Sequence, residues 1–138
     1  MVIQDKENDN SCVINISDGK YSVLLTGDIS RKVEKSLIAN TDIATKLQAD
    51  VIIAPHHGSK TSSSSRFIEA VSPDAVIFSA GFLNRWHMPN QAVLTRYQEF
   101  NVTSYSTAKH GMIQIKIAQQ GLEIESYREH IYPYWFAN

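Results

Sequence analysis

An α/β layered fold with a mixed sheet and flanking helices is what this sequence predicts. Apolar, strand-like runs alternate with helical spacings through the middle of the chain, and hairpin-like strand pairs stand at both ends. A length of 138 residues fits one domain, 1-138, with a real though modest core.

Taken in order, Cys12 to Ile16 alternates as a strand does, Asp18-Gly19 suits a hairpin turn, and Tyr21 to Leu25 is rich in strand formers. Ser30 can cap a helix whose apolar positions Val33, Leu37 and Ile38 recur at helical spacing, and a weaker helical turn covers Ile43 to Leu47. Val51 to Ala54 reads as a short buried strand that stops at Pro55. His57 to Ser65 must be a loop, with Ser65 capping a short helix from Arg66 to Val71. A linker reading of these serines is disfavoured, because the run is short and sits between two strand-helix units. Ala75 to Ser79 is the next strand, followed by the loop Gly81 to Pro89 and a helix over Gln91 to Phe100. Val102 to Tyr105, Met112 to Ile117 and Leu122 to Tyr127 close the chain as strands, the last two joined around Gln120-Gly121.

Composition narrows the chemistry. A formal net charge of -1 gives no global basic field, so contact with nucleic acid would need a local patch. Cys12 is the single cysteine, which excludes an internal disulfide framework and a zinc site of several thiolates, so a metal site must use His and carboxylate. No run approaches the roughly 18 apolar residues of a membrane span, and the polar start is unlike a signal peptide, so the chain reads as soluble. Met1 to Asn10 runs straight into a strand with no earlier structural unit, which suits a segment of a longer protein.

In α/β sheets the chemistry collects in loops at strand ends. Leu24-Leu25-Thr26-Gly27-Asp28 sets a carboxylate just past a buried strand, after a glycine that permits a sharp turn. Asp28 is therefore aimed at a strand-end crevice, or else it simply opens the next helix, where a negative charge suits the dipole. His56-His57-Gly58-Ser59 ends another buried strand, and His with carboxylate from adjacent strand ends is how a Zn²⁺ or Mn²⁺ site is assembled. Neighbours on an extended chain point oppositely, so one imidazole of the two would be a ligand. Ser59, Lys60, Ser62 and their neighbours form a donor-rich loop suited to an anionic substrate, or a solvated loop with a helix cap. Arg85, Trp86 and His87 could bind substrate, Arg85 by holding phosphate and Trp86 by stacking; the alternative is a loop anchored by a buried Trp86 with His87 incidental. Nucleophilic catalysis has little support, since Cys12 has no adjacent base and no Gly-x-Ser-x-Gly elbow occurs.

The turn Asn8-Asp9-Asn10-Ser11, the Leu-Leu-Thr-Gly-Asp ending at Asp28, Pro55-His56-His57-Gly58-Ser59, the serine-rich loop and Asn84-Arg85-Trp86-His87-Met88-Pro89 together resemble the C-terminal domain of the ComEC family, channel proteins of natural competence. The aromatic tail Tyr132-Pro133-Tyr134-Trp135-Phe136 is similar to the natural end of such a chain. The resemblance implies the C-terminal portion of a metallo-β-lactamase-like αββα fold. It also implies a binuclear centre of Zn or Mn in which Asp28 bridges the ions, His57 ligates one, and His56 stands behind it or faces substrate. The superfamily's upstream His-x-His-x-Asp-His cluster, or its Asp-containing variant, is absent here, and Asn8 and Asp9 stand where many members have a third metal histidine. With two matched ligand positions, this stretch alone should bind metal weakly and hydrolyse little.

The function so implied is metal-dependent hydrolysis of DNA phosphodiester bonds during uptake, in a soluble domain of a bacterial inner-membrane protein on its periplasmic or extracellular side. Its partners would be single- or double-stranded DNA and the membrane channel domain of the same parent chain. The alternative is a non-catalytic module that binds DNA or a partner on the same scaffold. Half a layered fold would also leave an apolar sheet face bare, which predicts a homo-oligomer.

Overall fold

A computed structural model describes residues 7–130; Met1–Lys6 and the aromatic tail Tyr132–Phe136 lie outside the described residues. The chain runs β1 (Ile14–Ser17), β2 (Ser22–Leu25), α1 (Arg31–Ala39), α2 (Thr41–Ala44), β3 (Val51–Ile53), α3 (Ser65–Val71), β4 (Ala75–Phe78), α4 (Gln91–Glu99), β5 (Thr103–Ser106), α5 (Thr107–His110), β6 (Ile113–Ala118), β7 (Gly121–Ser126) and α6 (Tyr127–His130). The expected α/β class with a mixed sheet and flanking helices is present. β1 to β5 form one sheet in sequence order, with β1 antiparallel to β2 and β2 to β5 parallel, and β6–β7 is a separate antiparallel hairpin.

That strand order dictates the layers. Each parallel crossover takes the same hand. Because β2, β3, β4 and β5 succeed one another without reversal, α1 to α4 all fall on one face. The strand alternation then sorts the core. Leu24, Ile52, Val76 and Phe78 face the helices with Ile29, Phe67, Ile68, Val71, Val93 and Tyr97. Val23, Val51, Ala75 and Ile77 face the other way and meet the β6–β7 hairpin through Ile113, Ile115, Ile117, Leu122 and Ile124. The hairpin thus covers much of the face expected to be bare. On the same face, Ile14 and Ile16 of β1 stay about half exposed, at 50% and 51%, and among the described residues β1 has no neighbour on its outer edge.

The turns explain where elements start. Asp18 Oδ1 accepts from the amides of Lys20 and Tyr21, and these bonds, Tyr21 foremost, hold its carboxyl below the usual range while fixing the β1–β2 turn. Ser30 does stand at the start of α1, but it makes no side-chain cap: its Oγ accepts from no helix amide, and its hydroxyl is drawn instead to the Asp9 carboxylate, to which it donates. Ser64, not Ser65, caps α3 by accepting from Phe67 N. Asn40 and Asn90 cap α2 and α4.

The serine run is the least loop-like loop in the molecule. Ser62 and Ser63 are fully buried. Glu34 of α1, also fully buried, accepts from the amides of Ser63 at 2.5 Å and Ser64 at 2.9 Å, while Arg96 of α4 donates to the carbonyls of Ser62 and Ser63. The Tyr97 hydroxyl donates to Ser63 Oγ at 3.3 Å, and burial pushes this phenol up from its ordinary value. Backbone groups that a strand would pair with another strand are here paired with side chains.

Glu34→Ala strands two backbone amides, so it should destabilise the chain by about 1–3 kcal/mol in urea unfolding, whereas its position on a surface-like helix pattern alone would predict little effect. The open edge and bare isoleucines of β1 should draw a second copy of the chain at high concentration. Ile16→Lys puts a charge on that edge and should lower the mass measured by light scattering towards the monomer.

Candidate functional site

The parallel strands end together, so the segments after β2, β3 and β4 emerge along one edge of the sheet. The first two are stitched to each other. Thr26 Oγ1 donates to Ile53 O at 2.7 Å, and His56 N donates to Gly27 O at 3.0 Å, which carries the β2–β3 pairing past the end of the sheet. Asp28 N donates to Ser11 Oγ at 3.1 Å, so the N-terminal turn backs this loop.

Both histidines lie in a tight turn, Pro55–Gly58, in left-handed backbone: φ is 47° at His56 and 55° at His57. The expectation of an extended chain with the two rings pointing oppositely is therefore corrected. Their rings stand 6.4 Å apart at 65°. Gly58, at φ +82°, closes the turn where only glycine fits: a Cβ there would lie 2.7 Å from Phe78 Cδ1 and 2.8 Å from Pro89 Cβ. Gly27 is equally confined, since its Cβ would meet Ser11 Cβ at 2.7 Å.

This backbone brings His57 Nε2 to 3.5 Å from Asp28 Oδ1, with both side chains partly open to solvent. The two atoms are thus as far apart as neighbouring ligands around a tetrahedral zinc, where Zn–N and Zn–O bonds near 2.0–2.2 Å make an edge of roughly 3.3–3.5 Å. The carboxylate and imidazole fit two corners of such a shell. Among the described residues no group of three or more His, Cys, Asp or Glu side chains gathers as a metal site would require. Asp9, which stands where a third ligand was sought, is instead bonded to the Ser30 hydroxyl at 2.5 Å.

The remaining candidates divide. Ser62 is removed from any ligand: it is buried, and its hydroxyl donates to the carbonyls of Pro55 and Ser59. Ser59 is nearly buried and shares a hydrogen bond with Thr61, so it braces the loop. Lys60, Arg85 and His87 are exposed. Trp86 is 63% exposed, which overturns the reading of a loop anchored by a buried tryptophan. Of the Arg85, Trp86 and His87 trio, Trp86 lines a cavity of about 300 Å³ together with His57, Ser79, Ala80, Gly81, Asn84 and Met88. The supports from fully buried Glu34 and half-buried Arg96 are not legible in the sequence, because both sit on helices where charge ordinarily means solvent.

No protein-family model matches the chain. Curated relatives do. Recombination protein 2 of Haemophilus influenzae is 38% identical over 136 residues, 99% of this chain and 16% of that protein. The uncharacterized protein YcaI of Escherichia coli is 37% identical over 132 residues, 96% of this chain and 17% of that protein. Competence protein ComA of Neisseria gonorrhoeae is 33% identical over 129 residues, 94% of this chain and 18% of that protein. The chain therefore spans under a fifth of the length of these relatives.

Gly58→Ala should cost about 1–3 kcal/mol of stability and shift the His57 imidazole resonances, since Phe78 or the turn must yield. Gly121→Ala is the control; no heavy atom lies within 4 Å of its Cβ, and it should change neither urea midpoint nor spectrum appreciably.

Proposed function

This chain belongs to the ComEC family of competence proteins, and from that membership we propose that it forms the C-terminal part of a metallo-β-lactamase-like domain that hydrolyses phosphodiester bonds in DNA during uptake. One observation carries the reading: Asp28 Oδ1 and His57 Nε2, delivered by tied strand tips, stand 3.5 Å apart, the spacing of two ligands on one divalent ion. A Zn²⁺ or Mn²⁺ pair held there would polarise a phosphoryl oxygen and activate water. Asp28 would hold both ions and His57 one. The matched relatives extend well beyond the shared region, with room for further ligands and for a membrane channel. No helix among the described residues is long and apolar enough to cross a membrane, which agrees with a domain beside the bilayer, on its periplasmic or extracellular side in this reading.

DNA needs a cationic surface that net charge does not supply. A groove between α1 and α3, with an apolar floor that includes Ile38 and Ala39, is flanked by Arg31, Lys35 and Arg66, and none of the three cations has an ion-pair partner among the described residues. Lys60 and Arg85 would steady phosphate nearer the ligands.

A second reading, a DNA- or partner-binding module without catalysis, is favoured by the commitment of Asp9 to Ser30, away from the Asp28–His57 pair. Metal analysis separates the two, because a pure binding module should purify without stoichiometric metal even as the intact domain. With Mn²⁺ or Zn²⁺ added, the intact domain should cut single- or double-stranded DNA, and Asp28→Ala should cut more than about a hundredfold more slowly. Equal cleavage by both proteins would sink the hydrolase reading.

A further inference from the structure

Trp86 is a large apolar side chain held in solvent, at the mouth of a cavity it shares with His57. Burial would ordinarily claim an indole, so its exposure needs a cause. Floppiness is not that cause, because Asn84 cross-braces the loop three ways: its Nδ2 donates to Gly81 O at 2.9 Å and Met88 O at 2.6 Å, and its Oδ1 accepts from Met88 N at 2.9 Å. His87 N closes the same turn on Asn84 O. The loop thus presents Trp86 from a fixed backbone.

One face of the indole is already taken. The Arg85 guanidinium carbon lies 4.3 Å from the ring centroid, a cation–π stack that leaves the in-plane N–H groups of the guanidinium free to bond an anion. A flat apolar face with a phosphate-seeking group behind it matches one nucleotide, its base on the indole and its phosphate on the arginine. The paired bases of a duplex stack on each other and keep their faces covered, whereas a single strand offers them.

We propose that Trp86, backed by Arg85, is a stacking platform for an unpaired nucleobase, and that it makes the site prefer single-stranded over duplex DNA. The proposal rests on the reading of the chain as a DNA-handling hydrolase, and it names the form of the substrate. A base on Trp86 would share its cavity with the imidazole of His57, so the adjoining phosphodiester lies on the side of the candidate metal ligands. Lys60, exposed on the loop after His57, adds positive charge along that side.

The test is binding in EDTA, where cleavage cannot blur the result. The probes are a short oligothymidylate, the same strand paired with oligoadenylate, and vesicles of anionic phosphatidylglycerol. Intrinsic fluorescence reads Trp86 against Trp135, the only other tryptophan of the chain. The single strand should quench emission and bind more tightly than the duplex. Trp86→Ala should lose the quench and bind it roughly 5- to 150-fold more weakly, and Trp86→Phe should recover most of the affinity; circular dichroism confirms that both fold. Equal affinity for the two DNA forms, Trp86→Ala binding like the parent, or quenching by vesicles alone each overturns the proposal. The two readings also fail separately. Quenching in EDTA without cleavage in Mn²⁺ by the intact domain removes the hydrolase and keeps the platform, while cleavage by the intact domain without quenching does the reverse.

Discussion

The tips of β2 and β3 are tied to each other, and the tie decides where the polar chemistry of the molecule can sit. The pairing of Leu25 with Ile53 brings both strand ends to one level. Two further hydrogen bonds, from Thr26 to Ile53 and from His56 to Gly27, continue the pairing into what would otherwise be independent loops. Asp28 and His57 each follow one residue after a tied backbone group. Their approach is therefore inherited from the backbone and does not depend on attraction between the side chains, which is weak at 3.5 Å in solvent unless the imidazole is charged.

The same edge is held from beneath by a charged clamp. Glu34 and Arg96 come from different helices and close on one peptide segment, the acid on its amides and the base on its carbonyls. Hydrogen bonds to ionised groups are the stronger kind, and buried backbone left without them would be costly. Since Ser62 in turn donates to Pro55 O, the clamp reaches the histidine turn through one more bond. Helix position, serine loop and imidazole geometry form one connected unit, so disturbance of α1 or α4 would be felt at the strand tips.

The parts legible in the sequence were those written in local pattern. Strands with alternating faces, the longer helices with spaced apolar residues and the Asp18 turn lie within two residues of where periodicity puts them, while the turn expected over Ile43 to Leu47 falls at Thr41–Ala44. What escaped was decided at long range. Ser30 has the residue type of a cap, yet Asp9, twenty-one positions earlier, takes its hydroxyl. Glu34 looks like solvated helix until Ser63 and Ser64 fold onto it. The left-handed turn at His56 and His57 leaves one local trace, Gly58, whose tight fit against Phe78 and Pro89 no spacing rule contains. The approach of Asp28 and His57 is legible because strand ends and residue chemistry suffice for it; the burial of Ser62 is not, because polarity in a sequence does not by itself mean exposure.

Left-handed backbone is concentrated in the two loops at the strand tips. Ser72 and Asn101 are left-handed just past the ends of α3 and α4, where helices commonly stop in that conformation. His56, His57, Ser63, Leu83 and His87 share the conformation but terminate no such helix, and all five belong to the two loops that follow β3 and β4. Each costs on the order of 1–3 kcal/mol that glycine would largely avoid. A chain shaped only by stability would put glycine at 56 and 57, as it does at 58. Imidazoles kept in strained backbone, with one aimed at a carboxylate on the neighbouring strand tip, point to a requirement for the rings themselves. A surface that merely binds DNA can meet its needs with exposed lysine and arginine, so a use for imidazoles held in this backbone belongs to the proposed hydrolase and not to the binding alternative.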